Sequence, residues 1–132
     1  MNNISRLTPT LVRYLLGFIF FVSGVNGFLQ LIPQPPVPPA AGAFMGALAA
    51  TGYMFPLIKI VETVAGGMLL SNRFVPLALA LLAPGLVNIV LFHLLMAPNG
   101  ILMAAVVSIL FLVTFAGYRQ AFAGIFAATP PQ

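Results

Sequence analysis

Long apolar runs divide the chain, and its polar residues fall either between those runs or at a few isolated positions within them. The first run, from about Leu11 to Ile32, is too long for the roughly 7–15-residue apolar core of a signal peptide and is read as a membrane span. Gln34 to Pro39, QPPVPP, must end the helix, because proline fixes φ and lacks the backbone donor. Ala40 to Gly52 is apolar but only about a dozen residues long, short of the roughly 20 a span requires. Gly42, Gly46 and Ala50 recur at four-residue spacing in it and suit close packing against a span. This segment is read as an interfacial or shallow re-entrant helix, with the first half of a bent second span as the alternative. Further spans are expected at about Met54–Leu70, Phe74–Met96 and Ile101–Ala121, separated by SNR and by PNG. The expected fold is all-α: an up-down bundle of four transmembrane helices, forming one domain over residues 1–132, with a short helix between spans one and two.

Composition supports this reading. The chain is 61% hydrophobic and 5% charged, with a mean hydropathy of +1.13, whereas soluble domains are roughly a quarter charged. The five basic residues do not cluster, so the net charge of +4 is not a nucleic-acid signature. Arg6, Arg13, Arg73 and Arg119 instead mark the ends of spans that share one side. By the positive-inside rule both termini face the cytoplasm, and these arginines are expected to meet lipid headgroups. Cysteine is absent, and with one histidine and one acidic residue the chain cannot supply the four ligands of a structural zinc site. Phosphate-binding glycine loops are absent as well.

Candidate chemistry rests on the few polar groups inside the spans. Glu62 lies about eight residues into the second span, roughly 12 Å along it. A carboxylate in hydrocarbon requires a partner or a wet cavity. Lys59 sits three residues earlier, placed either to pair with Glu62 or to reach the outer interface. Ser23 and Asn26 in the first span, Asn88 and His93 in the third, and Ser108 in the fourth all fall in the outward half. The antiparallel order allows these groups to converge on a pocket. Ser23, Gly24 and Gly27 equally suit close helix packing, and Asn88 and His93 equally suit helix–helix or interfacial hydrogen bonding.

Three stretches carry a family resemblance: RYLLGFIFFVSGVNGF (Arg13–Phe28), GYMFPLIKIVETVAGGMLL (Gly52–Leu70) and RFVPLALALLAPGLVNIVLFHLLM (Arg73–Met96). Together they resemble the DoxX family of small bacterial four-helix membrane proteins. The resemblance implies a bacterial inner-membrane location, an association with quinone-linked or thiol-redox systems, and functional polar positions at Arg13, Ser23, Asn26, Glu62, Asn88 and His93. Lys59 matches less closely, and direct thiol chemistry does not fit a chain without cysteine. Three functions are compatible with these features. The first is an accessory or binding protein holding a lipid, quinone or other apolar molecule, with redox proteins as partners. The second is the membrane subunit of a quinone-linked oxidoreductase. The third is a small-solute transporter, for which four spans would call for a homodimer. A purely structural role for the polar residues is a further alternative. The residues do not choose among them, nor do they say whether the protein is an enzyme.

Overall fold

The computed structural model describes residues 3–131, with side chains from Leu7 onward, so the Arg6 side chain, with its expected headgroup role, lies outside the described side chains. Five α-helices are present in that region: α1 (Asn3–Leu29), α2 (Pro39–Ala50), α3 (Met54–Ser71), α4 (Val75–Leu95) and α5 (Ile101–Gly117). There are no strands among the described residues. All but α2 belong to segments long and apolar enough to cross a membrane, the last being extended by a 3₁₀ turn over Pro98–Gly100. The molecule is thus a four-span bundle with a short helix between its first two spans.

The stops follow local chemistry. α1 ends at Leu29, earlier than the apolar run does, where Gln30 turns left-handed at φ 53°. The Asn26 carboxamide then holds the departing chain: Ile32 N–H donates to Oδ1 at 2.8 Å, and Nδ2 donates to the Ile32 carbonyl at 3.0 Å. α2 begins with Pro39 in its first turn, where the missing N–H costs nothing. It is a separate helix rather than half of a bent span. Gly52, at φ +79°, makes the turn out of it. The Thr51 hydroxyl joins the two helices by donating to the Leu48 carbonyl at 2.7 Å and accepting from Met54 N–H at 3.0 Å. α4 is continuous through Pro84. α5 stops short of Ala121, where the chain tightens into a 3₁₀ turn over Arg119–Phe122 and Phe122 is buried against Phe115, with ring centroids 4.9 Å apart.

Around the bundle, α3 packs on α1 and α4, and α5 packs on α4 and α1. Leu16, Phe20, Ala65, Leu69, Leu79, Leu82 and Phe111 form the central core. The α1–α3 seam is the closest. A β-carbon at Gly66 would lie 2.5 Å from the Phe21 nitrogen and 2.8 Å from the Gly17 oxygen, so the two backbones all but touch. The expected small-residue face of α2 is not used in this way. Gly46 has open space around it, and Gly42 has only ordinary contact with Val37. α2 is instead anchored by buried Ala41 and by Phe44, whose ring lies 5.9 Å from that of Phe92 near the end of α4.

At the end of the bundle opposite α2, where α1 begins and α5 ends, Arg13 departs from its expected headgroup role. Its side chain is buried inside the bundle, with the residue only 6% exposed. Nε donates to the Leu69 carbonyl at 3.1 Å, and Nη1 donates to Asn72 Oδ1 at 2.7 Å and to the Tyr118 hydroxyl at 3.4 Å. The last carbonyls of a helix lack intrahelical partners and carry its negative dipole end. Arg13 therefore caps α3 from the neighbouring helix, while Asn72 turns left-handed at φ 55° to end it. Arg73 and Arg119 are exposed at this same end. Arg13→Met is expected to cost about 2–3 kcal/mol, the range for a charged hydrogen bond lost in a buried setting. Arg119→Met should stay within about 0.5 kcal/mol. Equal effects in reversible unfolding would refute the capping role.

Candidate functional site

Helix α3 places Lys59 and Glu62 one turn apart on the side that faces α1, and α1 supplies Ser23 at the same level. The three side chains close a triangle. Lys59 Nζ donates to Glu62 Oε2 at 3.1 Å and to Ser23 Oγ at 3.3 Å, and Ser23 Oγ donates to Glu62 Oε2 at 3.0 Å. The side chains of Lys59 and Glu62 are only 16% and 12% exposed. This is the one ion pair among the described residues. Lys59 thus pairs inward and does not reach for an interface. Glycines on α1 make room for it. The lysine stem lies against Gly27, and Thr63, whose hydroxyl donates to the Lys59 carbonyl at 2.7 Å, lies against Gly24.

Two cavities border this triangle, one lined by Glu62 and the other by Ser23 and Lys59. The first, of about 230 Å³, is a groove between α3 and α4. Phe20 and Glu62 line it together with Leu57, Leu81, Gly85 and Asn88. Glu62 is buried, whereas Leu57, Leu81, Gly85 and Asn88 are exposed. The groove therefore opens sideways through the wall of the bundle and has a carboxylate in its depth. The Asn88 carboxamide makes no hydrogen bond among the described residues. Such a group in hydrocarbon is costly unless something partners it.

The second cavity, a vestibule of about 340 Å³, lies at the α2 end. Ser23 and Lys59 line it, with Asn26, Gln30 and Gln34 from the exit of α1 and Met45 from α2. Its lining is far more polar than that of the groove.

Not every expected residue joins the site. Asn26 reaches the vestibule wall, but its amide is occupied by Ile32. His93 secures the turn between α4 and α5. Its Nδ1 lies 3.1 Å from the Ala97 carbonyl, which can only accept, so Nδ1 carries the proton. The ring also lies against Gly100. Ser108 donates back to the Ala104 carbonyl at 2.7 Å and lines a different apolar groove, between α4 and α5. Similar depth on neighbouring helices did not bring these two to Glu62. Among the described residues there is no cluster of three or more side chains able to hold a metal ion. Phe20 and Gly85 are part of the groove although nothing polar marks them in the sequence. The apolar background gave no signal for either.

Comparisons with family models, with curated proteins and with solved structures find no match to this chain.

Proposed function

We propose that the protein is an accessory membrane protein that binds an amphiphile from the bilayer through the groove between α3 and α4. The observation that carries this reading is a buried carboxylate at the back of an apolar groove whose exposed lip bears an unpartnered carboxamide. Few polar groups set in apolar walls are what a site for such a ligand requires. At about 230 Å³ the groove is smaller than the roughly 300–1,000 Å³ pockets that enclose a drug-sized ligand. It suits a headgroup whose apolar tail stays outside among lipid chains. Glu62 can accept from a hydroxyl, and Asn88 can donate to or accept from an oxygen. A quinone or quinol ring, or a lipid with a hydroxylated head, has that chemistry.

The motif likeness to DoxX proteins supports the quinone and a redox protein as its partner. It also supports placement in a bacterial inner membrane. Exposed Arg73 and Arg119 at the end opposite α2 favour a cytoplasmic location for that end. The α2 end would then face outward.

The test is to purify the protein gently and identify co-purifying small molecules by mass spectrometry. Asn88→Ala should reduce retention about five- to tenfold, the loss of a hydrogen bond worth about 1–1.5 kcal/mol. Because Asn88 is exposed, its unfolding free energy should change by no more than about 0.5 kcal/mol. A wild-type protein that carries no small molecule, or equal retention by the variant, would remove the basis for this function.

A further inference from the structure

We infer that Glu62 and Ser23, held in place by Lys59, form a proton relay from the lateral groove to water at the α2 end of the bundle. The inference rests on the groove being a ligand site and adds a route by which such a ligand exchanges a proton. Glu62 lines the groove, Lys59 lines the vestibule, and Ser23, also on the vestibule wall, is hydrogen-bonded to both. The hydrogen-bonded triangle therefore links an apolar cavity, through Glu62, to a polar one, through Lys59 and Ser23. Exposed Gln30 and Gln34 stand in the vestibule wall, so water can enter it.

No other titratable side chain among the described residues lines either cavity. From α1 the carboxylate is faced by Ser23 and from its own helix by Lys59, and α4 contributes only the neutral Asn88 to the groove. The Lys59 ammonium has three hydrogens and no acceptor, so it holds the ionised carboxylate in place. Ser23 can both accept and donate.

The step balances without an added reagent. A hydroxyl in the groove gives its proton to the Glu62 carboxylate and is left as an oxyanion. The Glu62 carboxylic acid then passes a proton to Ser23 Oγ as the Ser23 hydroxyl hydrogen leaves to a vestibule water. Glu62 and Ser23 end in their starting states, and one proton has moved from groove to vestibule. Run in reverse, the same chain supplies a proton to a bound oxyanion.

The chain suits a direct test, because Glu62 is its only acidic side chain and it has no cysteine. The infrared carboxyl band of Glu62 can be assigned by subtracting the spectrum of Glu62→Gln. In oriented proteoliposomes without added ligand, the α2-side solution is acidified rapidly and the band is followed. Ser23→Ala should slow its rise by about tenfold or more, and Ser23→Thr should restore it. In parallel, a membrane-impermeant thiol reagent added on the α2 side should modify Ser23→Cys and the rim control Gln34→Cys, and should leave the groove variant Leu81→Cys unreacted. An unslowed band in Ser23→Ala, or protection of Ser23→Cys while Gln34→Cys reacts, would overturn the relay. Both readouts are taken on empty protein. They can therefore fail while ligand retention succeeds, and the reverse.

Discussion

Glu62→Ala should destabilise the bundle by about 3–5 kcal/mol, because it leaves the Lys59 ammonium buried with only the Ser23 hydroxyl to accept from it. Lys59→Met should cost a comparable amount by leaving the carboxylate with a single donor. The combined variant Lys59→Met/Glu62→Leu should recover most of either loss. A buried pair replaced as a unit by apolar residues of similar volume is often neutral or stabilising, since two desolvated charges disappear together. The check is a double-mutant cycle on reversible unfolding in mixed micelles. Additive losses would mean that the 3.1 Å pair is not energetically coupled. Recovered stability together with lost ligand retention would separate what the pair does for the groove from what it does for the fold.

The second large effect is expected at Gly66. In an exposed helix, exchanging glycine for alanine is favourable by about 0.8–1.0 kcal/mol. At Gly66 the new methyl would meet the backbone of Phe21 and Gly17. Backbone has no rotamer by which to yield, so α1 and α3 must separate. Overpacking usually costs about 1–3 kcal/mol and sometimes more. Gly66→Ala should therefore lose up to about 2 kcal/mol net of its propensity gain. Gly46→Ala on α2, with open space at the same point, should be neutral or gain up to about 1 kcal/mol. Similar behaviour of the two variants in one unfolding assay would show that the α1–α3 seam is looser than the structure has it.

The bundle and its turns were legible because they rest on one-dimensional signals. Apolar length sets the spans, and QPPVPP, SNR and PNG interrupt them. The pairing of Lys59 with Glu62 was legible for the same reason: a three-residue spacing fixes both depth and face on one helix. Across helices, sequence gives depth but not azimuth. Ser23 and Ser108 therefore looked alike, yet one faces Glu62 and the other a separate groove. Arg13 shows a further limit. Its position at a span end pointed to headgroups, whereas the free carbonyl it satisfies belongs to Leu69, 56 residues away. Only the packing of α1 on α3 brings that acceptor within reach. Asn26 and His93 follow the same rule on a local scale, since each is drawn to a backbone group in the turn beyond its own helix.

The tight seam between α1 and α3 also bears on biogenesis. α1 and α3 precede the other two spans in the chain, and α3 carries the buried Lys59–Glu62 ion pair. Presented to lipid alone, that segment would be a poor substrate for membrane integration. Paired with its predecessor, it meets the Ser23 hydroxyl and a glycine-lined trough shaped to the lysine stem. The nascent chain can thus shield its costliest side chains before α4 and α5 have been synthesised. The two spans are suited to enter the bilayer together as a hairpin, with the later pair closing over them.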